Sequence, residues 1–281
     1  MPTIALLTDF GVEDVYVGVM KGVMKNICPD SDFIDITHAI PPQDVRSGAL
    51  ALLDAYSYFP KGTVFLVVVD PGVGSDRLPI AVSTGDYHFI APDNGVLTYM
   101  LADADFRAHA LTNTAYRLPA TSSTFHGRDI FAPAAAHLAA GIDISRFGAS
   151  VENLIILPQP KLTLGDSELI GEVVRIDHFG NIITSIGHLH WHGANCVYLH
   201  PKTSSPSNAI SIDADSASVQ IAGISLNSIK RAYHEVEIGQ LALQIDSTGQ
   251  LEVMINQGNA SQRLGVSVGD EIVLRYKLCP D

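Results

Sequence analysis

A polar cluster at residues 123–129 holds the side chains of this chain that are best suited to chemistry. The segment Ser123-Thr124-Phe125-His126-Gly127-Arg128-Asp129 sets an imidazole, a guanidinium and a carboxylate around a glycine. Because histidine titrates near neutral pH, we expect His126 to take part in a reaction. Arg128 and Asp129 are expected to stabilise the start of the alanine-rich helix that follows.

Two acidic residues follow apolar runs that predict buried strands. Asp9 comes after residues 4–8, and Asp70 ends the run at residues 64–69. Ligands of open α/β sheets bind outside the carboxyl ends of strands, so each carboxylate has two interpretations, a ligand-binding group or a turn residue. For Asp9 the second interpretation is a cap of the helix near Asp14. Arg77, judged by its position alone, is expected to be a solvated loop cation.

Three histidines at alternate positions form the strongest metal-binding pattern in the chain. In a strand, His188, His190 and His192 would share a face and could bind zinc or iron. Gly187 and Gly193 bracket this run as in a loop, and no carboxylate or cysteine lies at suitable spacing. We therefore predict no metal, with a metal-dependent hydrolase as the alternative.

The elements that must position these residues differ between the two halves of the chain. Short β-branched runs alternate with helical patterns at Val15–Ile27 and at Val45–Tyr58, which indicates an α/β layered sheet. The second of these helices is expected to open at Pro41-Pro42. Prolines then mark a linker. We predict an N-terminal α/β domain at 1–155, a linker at 156–168 and a smaller C-terminal β-barrel domain at 169–281.

The second half consists of short strand-like stretches separated by glycine, asparagine, aspartate and serine, as in small barrels. Thr203–Ala217 is expected to be a surface loop. Asp177-His178-Phe179-Gly180-Asn181 interrupts two of the strands. A hairpin turn explains it, although an aromatic ring beside polar groups also suits stacking on a planar base, and both interpretations stay open.

Charge and composition exclude several classes of protein. Thirty acidic against seventeen basic residues give a net charge of −13, and no basic stripe could follow a phosphate backbone. Nucleic acid is therefore not expected as a partner, whereas a cationic small substrate suits the acidic surface. No apolar run is long enough for a membrane span and no basic leader is present, so we expect a cytoplasmic location. Cys28, Cys196 and Cys279 lack paired spacing and are expected to be reduced.

Five motifs together resemble the S-adenosyl-L-methionine hydroxide adenosyltransferases, which are related to the fluorinases and chlorinases. They occur in the family's order and extend over nearly the whole chain: Thr8-Asp9-Phe10-Gly11, Val69-Asp70-Pro71-Gly72-Val73-Gly74, Ala91-Pro92-Asp93-Asn94-Gly95, Thr124–Asp129 and Asp177–Asn181. The resemblance implies attack of water or hydroxide on the ribose C5′ of S-adenosylmethionine, releasing adenosine and methionine. It also implies that the reaction needs no cofactor. It further implies a homotrimer whose active sites lie between subunits.

The same resemblance assigns roles to individual residues. The family's catalytic aspartate, arginine and histidine match Asp70, Arg77 and His126. Asp9 matches the group that binds the ribose hydroxyls, and Asp177 the group that binds the methionine ammonium. The remaining positions that match the substrate pocket are Phe179, Asn181, Ser247, Glu252, Asn259 and Ala260. Thr248 departs from the halogenating relatives, which carry an arginine there near the substrate carboxylate.

Two alternatives to hydrolysis follow from the same residues. Halogenating relatives place tyrosine at the positions of Asp70 and His126 and serine at Gly127, so this chain lacks their halide pocket. Halide transfer is therefore disfavoured. A sensor that binds S-adenosylmethionine or adenosine with negligible turnover would carry the same motifs.

Overall fold

Two units make up the chain in the computed structural model, which describes residues 1–200 and 209–280. They span Met1–Pro158 and Gln159–Asp281. The first is a layered α/β structure and the second is built mainly of strands, which confirms the predicted fold class. No helix in the described ranges is long and apolar enough to cross a bilayer.

The β-branched runs of the first unit form one six-stranded sheet. The strands are β1 (Thr3–Thr8), β2 (Asp32–Thr37), β3 (Val64–Val68), β4 (Pro79–Thr84), β5 (His88–Pro92) and β6 (Phe106–Ala110). Their order is β2-β1-β3-β5-β4-β6. β1 pairs in parallel with β2 and β3, β3 pairs in parallel with β5, and β4 runs antiparallel to β5 and β6. The central strands are buried on both faces, as their continuous apolar runs predict.

Helices cover this sheet. They are α1 (Tyr16–Ile27), α2 (Val45–Ala55), α3 (Thr98–Leu101) and α4 (Ala132–Ala139), with a π-helical turn at Gly127–Phe131 and short 3-10 turns at Tyr56–Tyr58, Thr114–Tyr116 and Ile144–Arg146. α2 does not open at the two prolines. Asp44 caps it instead, because its carboxylate accepts a hydrogen bond from the Ser47 backbone N–H at 2.9 Å.

The parallel pairing of β1 with β3 brings two of the candidate carboxylates to one edge of the sheet. Thr8, the last residue of β1, lies opposite Val68, the last residue of β3. Asp9 and Asp70 follow these two strand ends. The sequence therefore places both side chains where ligands of such sheets bind.

The second unit is built mainly of strands that form a nearly closed, barrel-like sheet of nine, with a smaller sheet of three. The strands are β7 (Leu162–Leu164), β8 (Glu168–Ile176), β9 (Ile182–Thr184), β10 (Leu189–His192), β11 (Cys196–Leu199), β12 (Ile210–Asp213), β13 (Ser218–Ile221), β14 (Ile224–Asn227), β15 (Ile229–Lys230), β16 (Leu241–Ile245), β17 (Leu251–Ile255) and β18 (Glu271–Arg275). The helices are α5 (Ala260–Leu264) and a 3-10 turn at Tyr233–Glu235. β10, β11 and β12 form the smaller sheet.

One part of the predicted surface loop at Thr203–Ala217 is a strand. β12 pairs with β11, and Ile212 is fully buried in the core of the second unit. Its Ile-Ser-Ile pattern was hidden by the polar residues around it. Residues 203–208 of the predicted loop lie outside the described residues.

Two cysteines that were expected to be reduced form a disulfide. Cys196 on β11 is bonded to Cys279 in the C-terminal segment, with their Cα atoms 5.9 Å apart. The pairing depends on contacts that are remote in sequence. Cys196 lies opposite Asp213 of β12, whose N–H donates to the Lys277 carbonyl at 2.9 Å. Sequence spacing carries no sign of this arrangement, and Cys28 is the remaining, buried cysteine.

Breaking this disulfide is expected to destabilise the second unit. The bond closes a loop with a sequence separation of 83 residues, for which loop entropy in the unfolded chain predicts a loss of about 4–5 kcal/mol. Chemical denaturation of the wild type with and without a reductant measures the effect. The Cys196→Ser/Cys279→Ser variant is the control, since reductant should not shift its midpoint; equal midpoints for the reduced and oxidised wild type would contradict the prediction.

Candidate active site

A cavity of about 550 Å³ in the first unit contains most of its candidate residues. Asp9, Asp70 and His126 line it. One wall is aromatic, and the rings of Tyr16 and Phe125 meet edge to face with centroids 5.1 Å apart. An apolar wall beside a few polar groups is typical of sites for small organic ligands.

Asp9 faces this cavity and does not cap α1. Its Oδ2 accepts a hydrogen bond from the Gln43 backbone N–H at 2.7 Å. Gln43 also lines the cavity and has a φ of +67°, a conformation that is uncommon for a residue with a side chain. The N-cap position of α1 is Val15, which has no side-chain cap. The geometry thus favours the ligand-binding interpretation of Asp9.

Arg77 joins Asp70 to His126. Its Nε donates to Asp70 Oδ1 at 2.9 Å, and its Nη2 donates to Asp70 Oδ2. Nη2 also lies 2.9 Å from His126 Nδ1. The side chains of Arg77 and Asp70 are only 8% and 5% exposed, so the expectation of a solvated loop cation is wrong. The guanidinium further packs over the Phe131 ring, 5.0 Å from its centroid.

This contact fixes the proton of the neutral His126 ring. A guanidinium has only donors, so Nδ1 must accept from Arg77, and the ring proton belongs on Nε2. Burial lowers the pKa of His126 below its usual 6.5, and the positive charge of Arg77 lowers it further. His126 is therefore a neutral imidazole at physiological pH, with its Nε2–H left for a ligand in the cavity.

Asp129 is structural, but it holds the loop before His126 and does not cap α4, whose N-cap position has no side-chain hydrogen bond. It is fully buried, and its Oδ2 accepts a hydrogen bond from the Ser122 backbone N–H at 2.7 Å, which holds the loop before His126. Arg128 Nε donates to Asp129 Oδ1 at 2.6 Å. Unlike Asp129, Arg128 also lines the cavity.

Several candidate residues of the second unit form one hydrogen-bonded network. Asp177 Oδ1 accepts from the Asn181 N–H at 2.8 Å, and Asp177 Oδ2 accepts from the Asn181 side-chain amide at 2.9 Å. The same amide lies 3.3 Å from the Tyr233 hydroxyl, which donates to Glu252 Oε1 at 3.0 Å. The Gln244 amide donates to that oxygen as well, at 2.9 Å.

The other predicted residues of this unit lie around the network. Phe179 is 72% exposed and available for stacking. Asn259 caps α5 by accepting from the Gln262 N–H, and Ala260 is buried at the first position of that helix. Ser247 lies in the exposed turn between β16 and β17, beyond the hydrogen bonds of the network.

Glu252 titrates far from the usual range of a carboxyl group. Burial raises its pKa from 4.5 to about 7, and the negative charges of Asp177 and Asp246 raise it too, against the lowering effect of the Tyr233 hydrogen bond. The same surroundings raise the pKa of Tyr233 to about 12. Glu252 is thus a group whose charge changes near neutral pH.

Replacing Glu252 by glutamine is expected to alter how stability depends on pH. A carboxyl whose pKa is raised on folding binds a proton more tightly in the native state, so its contribution falls as pH rises from 4.5 to about 7. The advantage of the wild type over Glu252→Gln should therefore shrink by about 1.4 kcal/mol per pH unit in that interval. Urea unfolding of both proteins at pH 5, 6, 7 and 8 tests this; parallel profiles would show that Glu252 titrates normally.

The histidine run does not assemble as the metal alternative requires. His190 stacks on His200 with ring centroids 4.6 Å apart, and His192 stacks on Tyr198 at the same distance. Within residues 1–200 and 209–280, no group of three or more histidine, cysteine or acidic side chains is arranged to hold a metal ion.

Sequence reasoning missed Tyr233, Gln244 and Gln43. Tyr233 lies in a short 3-10 turn and contacts Glu252 only in the folded chain, so no local signal reveals it. Gln244 had one signal, since it is an amide within the otherwise apolar run Leu241–Ile245. It is buried, and a buried amide needs a polar partner.

Comparison with known proteins places these residues in a family. The N-terminal and C-terminal domain models of the SAM hydroxide adenosyltransferases match residues 4–148 and 171–273. The chain belongs to this family. An (R)-S-adenosyl-L-methionine hydrolase of Salinispora tropica is 38% identical over 276 residues, covering 96% of this chain and 97% of the relative.

A more distant relative and a solved structure support the same family assignment. A fluorinase of Actinopolyspora mzabensis is 32% identical over 213 residues, covering 66% of this chain and 71% of the relative. The crystal structure of an uncharacterized conserved protein from Thermotoga maritima is 36% identical and has a TM-score of 0.84, covering 96% of this chain and 99% of that one. The resemblance predicted from the five motifs is confirmed.

Proposed function

We propose that this SAM hydroxide adenosyltransferase hydrolyses S-adenosyl-L-methionine to adenosine and L-methionine by attack of water on the ribose C5′. The observation that carries the proposal is the Asp70–Arg77–His126 arrangement beside an aromatic-walled cavity. The related (R)-S-adenosyl-L-methionine hydrolase, which matches along nearly its whole length, supports it.

The chemistry of the substrate explains why so few groups suffice. A sulfonium is already a good leaving group, so methionine departs as a neutral thioether without an acid to protonate sulfur. The site must instead prepare the nucleophile, which has to be aligned with the C5′–S bond and freed of bulk water. We propose that no cofactor takes part for the same reason. Turnover should therefore survive dialysis against a chelator, and loss of turnover restored by a metal would contradict this.

The geometry supports a distinct role for each member of the trio. His126 would donate its Nε2–H to the oxygen of the bound water and orient a lone pair toward C5′, because its Nδ1 is occupied by Arg77. Asp70, which lines the cavity, would accept the proton that the water loses. Arg77 would hold both partners and stabilise the developing hydroxide by its positive charge.

We propose binding roles for the remaining candidates from their chemistry. Asp9 would accept hydrogen bonds from the ribose hydroxyls. Asp177 would bind the methionine ammonium, with Asn181 and Glu252 adjusting its charge through the network. Phe179, Ser247, Asn259 and Ala260 would contact the adenine or the amino-acid portion.

Gly127 favours hydrolysis over halide transfer. A Cβ at this position would lie 3.2 Å from the Phe125 ring and 3.3 Å from both Met20 Sδ and the Phe10 ring. The serine of the halogenating relatives therefore needs these neighbours to shift. The aspartate and histidine at positions 70 and 126 likewise provide groups for water.

The product assay tests this function directly. The protein is incubated with S-adenosylmethionine, and the mixture is separated to quantify adenosine and methionine. Equal amounts of both, formed catalytically and without added halide, are the expected result. Bound but unchanged substrate would establish the sensor, and a dependence on chloride would establish halide transfer.

We further propose that the active form is a homotrimer in which subunits share active sites. The support is that the carboxylates proposed for ribose and for the ammonium belong to different units of the chain, Asp9 to the first and Asp177 to the second. Light scattering gives the mass. Co-expression of Asp70→Ala with Asp177→Ala should restore part of the activity that each variant lacks, since some mixed sites would be intact; no recovery would contradict shared sites.

The cytoplasmic location stays a prediction, which we retain as a proposal. The Cys196–Cys279 disulfide argues against it, because disulfides persist mainly in oxidising compartments. Cell fractionation tests the location: the protein should appear with soluble cytoplasmic marker enzymes. Recovery of the protein outside that fraction would contradict the proposal.

A further inference from the structure

Arg128 is a cation that the proposed reaction leaves without a task. It is the only lysine or arginine among the residues that line the cavity, all of which belong to the described part of the chain. Its side chain is 36% exposed, unlike the buried Arg77. Its guanidinium lies over the Phe125 ring, 5.2 Å from the centroid, which restricts the orientation of the group.

Counting donors shows that one edge of this guanidinium is unused. A guanidinium has five N–H donors in one plane. Asp129 takes two of them, from Nε at 2.6 Å and from Nη2 at 3.0 Å. In the part of the chain that the structure describes, no acceptor is recorded for the edge formed by Nη1 and the second Nη2 proton. This edge has the two parallel N–H groups that bind a carboxylate in a bidentate manner.

The surroundings of Arg128 suit an anion that enters with the substrate. Ser122 and Thr124 line the same cavity, and their hydroxyls lie 3.1 Å from each other. Hydroxyl groups can donate to an anion beside a guanidinium. The Asp129 pair holds the guanidinium in one orientation, and the edge of Arg128 that Asp129 does not use still presents directed N–H donors of a charged group to a carboxylate.

Arg77 is not placed for this task, because it is absent from the cavity lining and its Nε and Nη2 serve Asp70 and His126. Thr248 cannot supply a cation either, and its hydroxyl donates to Asp246 at 2.8 Å. S-Adenosylmethionine carries a sulfonium and an ammonium, and both would be repelled by a cation in the cavity. Its α-carboxylate is the one group that a cation attracts.

We propose that Arg128 binds the α-carboxylate of the methionine portion and makes the site specific for substrates that carry this carboxylate. The inference rests on the proposed function for its substrate. It assigns Arg128 to binding and leaves the attack on C5′ to the Asp70–Arg77–His126 trio. A substrate without the carboxylate would bring only its sulfonium and ammonium near Arg128. The wild type should therefore discriminate against it.

The test compares two substrates in two forms of the protein. The substrates are S-adenosylmethionine and its decarboxylated analogue, in which a hydrogen replaces the carboxylate. For Arg128→Ala, kcat/KM with S-adenosylmethionine should fall about 10- to 100-fold, the range for hydrogen bonds between charged groups. With the decarboxylated analogue, kcat/KM of Arg128→Ala should stay within about two-fold of the wild-type value or rise, because this analogue has no carboxylate bond to lose.

Controls separate this binding role from a structural one. Arg107→Ala removes an exposed arginine of β6 and should change neither substrate's kinetics. Arg128→Gln keeps an amide to donate to Asp129, so it should fold even if Arg128→Ala does not, and should show the same selective loss. An equal loss on both substrates, or no loss on S-adenosylmethionine, would overturn the proposal.

Calorimetric titration keeps this test independent of turnover. If the wild type formed no adenosine, the proposed function would fail, yet the ratio of the two Kd values in wild type and variant would still be measured. Selective weakening of S-adenosylmethionine binding in Arg128→Gln would support the role of Arg128, and equal weakening of both ligands would overturn it.

Discussion

Replacing Arg77 by alanine is expected to abolish turnover and to lower the free energy of unfolding by about 3–5 kcal/mol, the cost of leaving a buried charge without its partner. The Asp70 side chain is only 5% exposed, and its carboxylate accepts hydrogen bonds from Nε and Nη2 of Arg77. The substitution also removes the donor to His126 Nδ1, so the ring is no longer held in one tautomer. The variant should therefore lose both folding stability and turnover.

The double variant Asp70→Ala/Arg77→Ala separates these two effects. It removes both charges, so most of the lost stability should return while turnover stays absent. Arg107→Ala, at an exposed position of β6, should change the free energy of unfolding by less than about 0.5 kcal/mol. Urea unfolding and the product assay measure the series. A single Arg77→Ala variant that unfolds like the wild type would show that the pair is not buried in solution.

Replacing His126 by alanine is expected to reduce kcat by about 10²–10³-fold, as for loss of one preorganised donor at a reacting oxygen. Binding should be largely retained, because Asp9, the aromatic wall and the second unit are unchanged. Single-turnover rates and titration of the substrate measure the two quantities. His192→Ala is the control, since His192 lies in the second unit and stacks on Tyr198. Unchanged turnover in His126→Ala would remove this residue from the mechanism.

The pH profile provides a second measure of the same residue. Burial and Arg77 lower the pKa of His126, so the neutral ring persists below pH 6.5. Protonation would put a second cation against Arg77 and remove the acceptor at Nδ1. kcat/KM should therefore stay constant from neutral pH to below pH 6.5, and it should fall as the pH decreases through the lowered pKa of His126. A fall that begins well above pH 6.5 would contradict this environment.

The first unit was predictable because its signals are local. Continuous apolar runs fixed β1 and β3, and their parallel pairing follows from the alternation with helices. Asp9 and Asp70 then had to meet at the carboxyl edge of the sheet. The position of Arg77 was not predictable from its spacing, since its burial beside Asp70 depends on how the loop folds and brings the guanidinium over the Phe131 ring.

The parts that sequence reasoning missed depend on contacts between distant residues. Tyr233 donates to Glu252 over a sequence separation of 19 residues, and Cys196 is bonded to Cys279 over a separation of 83 residues. Neither pair has a periodic or spacing signal. The strand pattern of β12 was missed for a related reason, because Ile212 is buried by the core of the second unit, whose residues are distant in sequence.

The most direct test of the account follows the oxygen of the attacking water. Enzyme in excess over S-adenosylmethionine is allowed one turnover in ¹⁸O-labelled water, and the adenosine is analysed by mass spectrometry. Direct attack on C5′, with Asp70 and His126 acting on the water, predicts that the 5′-hydroxyl carries the label from the first turnover. Unlabelled adenosine with ¹⁸O in the Asp70 carboxylate would show that Asp70 itself attacks the substrate and would contradict the account.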